Sequence, residues 1–437
     1  MTKEQQQNYT LPIVMMILLF GMISFVTNLA APMGIVLKAQ FGVSNFQGSL
    51  GNAANFIAYA VMGIPSGILL QRIGYKRTAL IAIAVGFLGI FIQYLSGYSG
   101  QDIAFWVYLL GAFVAGFSMC LLNTVVNPML NTLGGGGNKG NQLIQVGGSF
   151  NSVMATLTPM LVGILIGDAV KAQITNIFPF MYAAMAVFAV VFVVLYLVRI
   201  PEPTSEKLTE PLGKLMFGVL KFQHFILGAI GIFVYVGIEV GTPQYMNYLL
   251  VDPNIPHPLN TTTAGFVAGT YWLLMLVGRL LGASIGNKVS SKLMLTATSA
   301  LGIVLVLLAI FSPSSREVAL PVLKSEAGVI SFGMLAVPIN ALFLVLVGLC
   351  TSIMWGSIFN MAVEGLGKYL AAATGIFMVM VCGGGILPSL QGKIVDLLGS
   401  NITSYLSSYW VILIGLAYLL YYALIGSKNV NKDISVK

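Results

Sequence analysis

Residues 63–77 read GIPSGILLQRIGYKR, and residues 278–292 read GRLLGASIGNKVSSK. Each stretch has two glycines four apart, Gly63 and Gly67 in the first, Gly278 and Gly282 in the second. Each then leaves its apolar run for basic residues: Arg72, Lys76 and Arg77 in the first, Lys288 and Lys292 in the second, with Arg279 beside the leading glycine. Glycines at this spacing share one helix face and let two helices approach closely. The basic residues past them hold anionic headgroups or cap neighbouring helix C-termini. Topology charges after a helix would explain either copy taken singly. Two copies at equivalent places read as a weak internal repeat, so Gly63, Gly67, Arg72, Lys76, Arg77, Gly278, Arg279 and Gly282 are expected to form conformational, cytoplasmic-loop positions.

Outward from these stretches the chain is a series of apolar runs, near residues 11–37, 48–70, 78–97, 104–131, 142–167, 177–198, 223–250, 262–286, 293–312, 334–360, 370–391 and 405–425. The chain is 57% hydrophobic and 8% charged, against roughly 25% charged in a soluble domain. Lipid, not water, must therefore contact most of its surface. At about 20 residues per span, twelve spans use about 240 residues and leave little for a globular domain. The fold class expected is an all-α polytopic membrane protein of twelve transmembrane helices in two six-helix bundles. A polar break with Arg199, Glu202, Glu206, Lys207, Glu210 and Lys214 divides the runs six and six. It sets an N-terminal bundle over 1–198, a cytoplasmic linker over 199–222 and a C-terminal bundle over 223–437. The net charge of +8 sits in short loops and reports orientation, not nucleic acid. Loops with Arg72, Lys76, Arg77, Lys139, Lys207, Lys288 and Lys368 fall on one side, which places both termini in the cytoplasm. The N-terminus offers no cleavable signal peptide, and the first run is long enough to stay as a span.

At these residues the chain resembles the major facilitator superfamily. More narrowly, it is similar to the L-fucose/proton symporter family with its glucose/galactose and N-acetylglucosamine permease relatives. The resemblance rests on SNFQGSL from Ser44, GIPSGILLQRIGYK from Gly63, NTVVNPMLNTLG from Asn123, SFNS from Ser149, YVGIEVG from Tyr235, TYWLLMLVGRLLG from Thr270 and SIFNMAVEGLG from Ser357. It implies two six-helix bundles around a central cavity, worked by alternating access, in a bacterial inner membrane. Two positions depart from the family. Its members usually carry an Asp three residues after a first-helix Asn; here Asn28 is followed by Ala31. The fourth helix carries Glu or Gln five residues before a proline; here Asn123 precedes Pro128. Both departures bear on proton coupling by the fucose-type mechanism.

Polar residues within spans are costly and therefore informative. Of thirteen acids only Glu239 falls near the middle of a run. Ionised, it costs several kcal/mol unless it is paired or faces water. No Lys or Arg is expected at its depth. Glu239 is therefore protonated in some state, faces a wet cavity or binds a cation; a protonated acid bonding a neighbouring helix is the structural alternative. Asn123 and Asn127 share one face of the fourth run, and Asn28 and Asn151 add one amide each from the first and fifth. An amide both donates and accepts, so it suits a sugar hydroxyl. It also suits interhelical bonding, the reading that fits Asn52, Asn55 and Asn131 better. The seventh run adds Tyr235, Gln244 and Asn247 around Pro243, whose ring frees carbonyls locally. Trp272 and Trp355 supply aromatic faces for a sugar ring, or else interfacial anchors. The resemblance places Trp355 near the family pocket. Gly383, Gly384 and Gly385 before Pro388 read as a hinge or as close helix packing.

The function expected is secondary transport of a neutral sugar or sugar derivative, coupled to H+ or Na+ through Glu239, with uniport or lipid or drug movement on the same fold as alternatives. A membrane enzyme would want HExxH or clustered His and Asp, whereas His224 and His257 are isolated. No GxxxxGK[ST] supports an ATP-driven pump, and the glycine run from Gly134 lacks the Lys-Ser/Thr pair of a phosphate cradle. Cys120, Cys350 and Cys382 show neither metal spacing nor a disulfide framework. Neither cofactor nor metal is expected, the partners are the sugar, the coupling ion and lipid, and the chain is expected to act as a monomer.

Overall fold

The computed structural model describes residues 9–133, 137–167, 171–198, 200, 212–254, 258–285, 289–326, 329–366 and 369–428. Twelve helices among them are long and apolar enough to cross a membrane: α1 (Thr10–Phe41), α2 (Asn45–Leu70), α3 (Tyr75–Ser96), α4 (Asp102–Asn127), α5 (Val146–Ile166), α6 (Ile174–Leu197), α7 (Gln223–Val251), α8 (Thr261–Gly282), α9 (Ser291–Phe311), α10 (Ile339–Ala362), α11 (Ala372–Leu398) and α12 (Ile402–Gly426). The helices match the apolar runs closely, because in lipid a helix alone satisfies every backbone group within one segment.

Local chemistry sets the helix ends. Ser44-x-x-Gln47 is a reciprocal capping box at the start of α2, with the Ser44 hydroxyl accepting from Gln47 N at 3.2 Å and the Gln47 Oε1 accepting from Ser44 N at 3.0 Å. Gly42 ends α1 in the left-handed region at φ 59°, donating back to the Lys38 carbonyl at 3.0 Å. Ser290 caps α9 by accepting from Leu293 N at 3.2 Å.

The tenth run differs from expectation. Residues 334–338 belong to an antiparallel hairpin, β1 (Glu317–Glu326) and β2 (Val329–Pro338), that joins α9 to α10, and α10 starts only at Ile339. Pro338 blocks an earlier helix start, and β-branched residues on both strands favour extended chain. Part of the central break is helical, over Leu212–Val219. The expectations for Gly134, Gly135 and Gly136, for Arg199 and the break through Pro211, and for His257, Lys288 and Lys368 fall outside the described residues. So do the side chains of Ala31, Pro128, Asn131, Lys139 and Lys214.

Within the first six helices α3 and α2 pack on α4 and α1 packs on α5; within the last six α7 packs on α11, α8 on α10 and α9 on α12. The two sets meet where α2 crosses α11 and α5 crosses α8. A Cβ on Gly265 of α8 would stand 2.6 Å from the Pro159 carbonyl of α5, so the backbones touch there. The repeated stretches share one physical job. Lys76, past α2, donates to the Tyr196 and Val198 carbonyls at 2.9 and 2.7 Å, at the end of α6. Lys292, past α8, donates to the Leu424 carbonyl at 3.1 Å, at the end of α12. Each basic residue thus closes the last helix of its own set by satisfying orphan carbonyls at the negative helix end. The glycines divide. Gly63 meets the Val379 backbone of α11, while Gly278 and Gly282 meet Ser352 and Ile353 of α10; Gly67 faces open space and holds no neighbour.

Candidate functional site

A cavity of about 670 Å3 lies between the two sets of helices, within the range of small-molecule sites. The first set lines it with Ser24, Thr27, Asn28, Tyr59, Asn123, Asn127 and Asn151, the second with Tyr235, Glu239, Trp272, Arg279, Trp355 and Asn360. The lining continues to Gly148, Gly282, Val289 and Ser291, at the end of the bundle where α8 gives way to α9. This is the open end.

The amides are held in place by the protein. Asn28 donates to the Ser24 carbonyl at 2.8 Å, Asn123 to the Tyr59 hydroxyl at 2.8 Å, Asn127 to the Asn123 carbonyl at 3.1 Å and Asn151 to the Phe20 carbonyl at 3.1 Å. These bonds use the NH2 groups, so each amide is oriented in advance and its oxygen is the natural acceptor for a hydroxyl donor. Tyr235 and Trp355 meet edge to face with centroids 6.1 Å apart. Trp355 follows a break in α10 at Ser352–Ile353, where Gly278 and Gly282 admit the bent backbone. Asn52, by contrast, donates to the Gly384 carbonyl at 2.8 Å and ties α2 to α11 away from the cavity. At the glycine triplet α11 is interrupted at Val381–Cys382, and Gly385 lies against the Ala53 backbone, so close packing and a helix break coincide.

Two charges enter the cavity among the described residues, Glu239 and Arg279. Arg279 Nη2 stands 3.5 Å from Glu239 Oε1, with the side chains 20% and 15% exposed. Arg279 Nη1 also reaches α5, donating to the Gly148 carbonyl at 3.0 Å and the Ser152 hydroxyl at 2.7 Å. This corrects two expectations: Arg279 is a cavity residue and not a loop residue, and a cation does stand at the depth of Glu239. The reason is the lean of side chains toward their helix N-terminus. The N-terminus of α8 is at the closed end, so Arg279 points back into the membrane. The N-terminus of α7 is at the open end, so Glu239 leans to meet it.

Gln244 and Asn247 are not brought into this cavity. They bound a separate pocket of about 20 Å3 with Pro243, Pro32, Pro159 and Trp272, roughly the space of one water. Beyond it the closed end is sealed by a polar network across the two sets. Asp396 of α11 accepts from Asn45 N at 2.9 Å, Asn45 Nδ2 at 3.0 Å and Phe46 N at 2.9 Å, all at the start of α2. Lys38 of α1 donates to Asn45 Oδ1 at 2.7 Å and to the Tyr405 hydroxyl at 3.4 Å. Tyr405 in turn donates to Asp252 Oδ2 at 2.7 Å. Arg72 and Arg77 are exposed past α2 at the other end.

Twelve helices in two sets, a cavity between them open at one end, and a closing network at the other describe a carrier. The sequence profile of the Major Facilitator Superfamily matches residues 13–389. The chain belongs to this superfamily. Among curated relatives, the glucose/galactose transporter of Brucella abortus is 28% identical, covering 98% of this chain and 96% of that one. The putative glucose/galactose transporter of Helicobacter pylori J99 is also 28% identical, over 97% of this chain and 99% of the relative. The L-fucose-proton symporter of Escherichia coli is 20% identical over 91% and 89%. The crystal structure of the Major Facilitator Superfamily transporter FucP, in the outward conformation, overlays with a TM-score of 0.68 at 19% identity, over 97% of this chain and all of that one. A D-xylose-proton symporter overlays with a TM-score of 0.67 at 15% identity, over 95% and 98%. The chain is a multi-pass membrane transporter and not an enzyme.

The sequence reading put Arg279 in a loop and not in the cavity, and it missed Asn360, Ser24 and the closing network. Arg279 carried a usable signal: it stands seven residues before the end of its apolar run, about 10 Å deep at 1.5 Å per residue. The network had none, because Asn45 and Asp396 are 351 residues apart.

Proposed function

We propose that this carrier moves a neutral sugar or sugar derivative, a hexose such as glucose or galactose in the first instance, by alternating access. The observation that carries the reading is the make-up of the cavity: one carboxylate matched by one guanidinium, four oriented amides, and the rings of Tyr235, Trp272 and Trp355. A net-neutral cavity has no charge with which to hold an ionic substrate. Acceptor oxygens on Asn28, Asn123, Asn127 and Asn151 suit hydroxyl donors, and aromatic faces suit the C–H face of a pyranose. The names of the glucose/galactose relatives support the same class. Amide-rich walls also argue against a lipid or drug mover, which would want a greasier cavity.

In this reading the chain is an importer in a bacterial inner membrane, acts as a monomer, and has both termini in the cytoplasm, so the open end faces inward. The six-plus-six division, with the linker over 199–222, supplies the two bodies that rock. Gln244 and Asn247 stand where they would meet substrate only when the closed end opens. The L-fucose-proton symporter among the relatives supports coupling to an ion, H+ or Na+; Glu239 is the one carboxylate of the cavity among the described residues, so whether an ion acts there turns on the guanidinium beside it. The test is uptake of labelled monosaccharides and amino sugars into proteoliposomes. Saturable uptake, competed by the unlabelled sugar, is expected. Movement of lipids or drugs with no saturable uptake of any sugar would overturn the proposal.

A further inference from the structure

The Glu239–Arg279 pair bears directly on that coupling. A carboxylate inside a membrane needs a proton, a metal cation or a fixed positive charge. Glu239 already has the third, 3.5 Å away. The guanidinium is fixed from the other side as well, by the Ser152 hydroxyl at 2.7 Å and the Gly148 carbonyl at 3.0 Å. Its strongest contacts are therefore to α5, in the first set of helices, while it faces Glu239 of α7 at a distance longer than a full charge-assisted hydrogen bond of about 2.7–2.9 Å. Tyr235, one turn earlier on α7, and Tyr271 of α8 are the other titratable groups that face Glu239, and Arg279 is the charged one among the described residues. The carboxylate is neutralised without a short bond to the guanidinium, which leaves it able to accept a bond from a ligand hydroxyl.

We propose that Arg279 is a tethered counter-cation that takes the place of a coupling ion at Glu239. In the wild type Glu239 then works as an ionised acceptor throughout the cycle, and neither H+ nor Na+ is needed there. Sugar exchange is independent of both. Removing the guanidinium would expose the requirement: Glu239 alone would have to take up a proton or a metal cation before the cavity could close. The inference rests on the sugar-carrier reading only for its transport readout.

The experiment uses the full chain reconstituted as wild type, Arg279→Lys, Arg279→Gln, Glu239→Gln and the double Glu239→Gln/Arg279→Gln variant. Labelled hexose exchange is measured without gradients, in acid and alkaline media, with Na+ or choline as the salt cation. Wild type and Arg279→Lys should exchange alike in all four media. Arg279→Gln should fall by about tenfold or more in alkaline choline, where an unpaired carboxylate is stranded, and recover with acid or Na+. The double variant should lose this dependence, because neither charge is left. Two results overturn the inference: Arg279→Gln exchanging at the wild-type rate in every medium, or a wild-type dependence on H+ or Na+ that Glu239→Gln abolishes. If the wild type exchanges no hexose, the sugar reading fails and the pair is judged by melting temperature. Acid or Na+ should then raise the melting temperature of Arg279→Gln relative to wild type, and a flat difference overturns the pairing.

Discussion

Asp396→Asn should release the closed end. The carboxylate of Asp396 reaches from α11 to three donors at the start of α2, Asn45 N, Asn45 Nδ2 and Phe46 N, at 2.9–3.0 Å. Two of these are backbone N–H groups of the first turn, which have no partner within their own helix. They also sit at the positive end of the α2 dipole, worth 0.3–1 kcal/mol to an anion. Hydrogen bonds to charged groups contribute about 1.5–3 kcal/mol each, but three on one carboxylate are not additive and the site is only partly buried. Asparagine keeps one acceptor oxygen and turns an NH2 toward a backbone N–H. Loss of about 2 kcal/mol is the reasonable figure, and at 1.4 kcal/mol per decade it shifts the balance of closed and open forms at this end by about 30-fold. Spin labels at exposed Thr175 and Leu397, one in each set, would read it as a distance distribution. Wild type should show mainly the short distance, and Asp396→Asn a large longer-distance population. An unchanged distribution in a well-folded variant would refute the idea that this carboxylate holds the end shut.

Single changes of Asn123, Asn151 and Trp355 to Ala should each weaken sugar binding by about 1–3 kcal/mol in equilibrium binding measurements; unchanged affinity with a lower melting temperature would mean that these side chains only tie helices together. Reporter fusions after Lys139, within 203–212 and at the C-terminus should read cytoplasmic, while fusions near Asp102, Pro256 and Ser314 should read outside. Lys76→Ala and Lys292→Ala each remove a cap from the last helix of their set and should cost about 0.3–1 kcal/mol in thermal stability, about equally in the two halves.

The spans were legible because their signal is local: an apolar run must be a helix in lipid, and Ser44-x-x-Gln47 writes a helix start within four residues. The hairpin between α9 and α10 was hidden because apolar residues 334–338 read equally well as the first turn of a helix. Most of the site was legible as well. Asn28, Asn123, Asn127, Asn151, Tyr235, Glu239, Trp272 and Trp355 all line one cavity, because polar groups in spans are rare enough to mark it. Arg279 was misplaced because its position in the chain is that of a loop charge, while a long side chain covers several ångströms in the direction of the helix N-terminus. Gln244 and Asn247 follow Glu239 closely in sequence, yet the helix has carried them one and two turns further toward the closed end.

That stretch of α7 also shows how the carrier can be balanced between two forms. Glu239 faces the wet cavity, while Gln244 and Asn247, past Pro243, are buried in the seal with Tyr248 and Tyr405. Among the described residues the Gln244 Oε1, Asn247 Oδ1 and Gln391 Oε1 oxygens in the seal have no protein hydrogen-bond partner. Gln244 and Asn247 border a pocket with room for one water, which can satisfy such an acceptor. The direct bonds between the two sets at this end include those of Asp396 and Lys38. A ligand opens it only by its difference in affinity for the two forms. Once those outer bonds part, Gln244 and Asn247 come within reach of water or a sugar hydroxyl, and α7 links that encounter to Glu239 through one continuous helix.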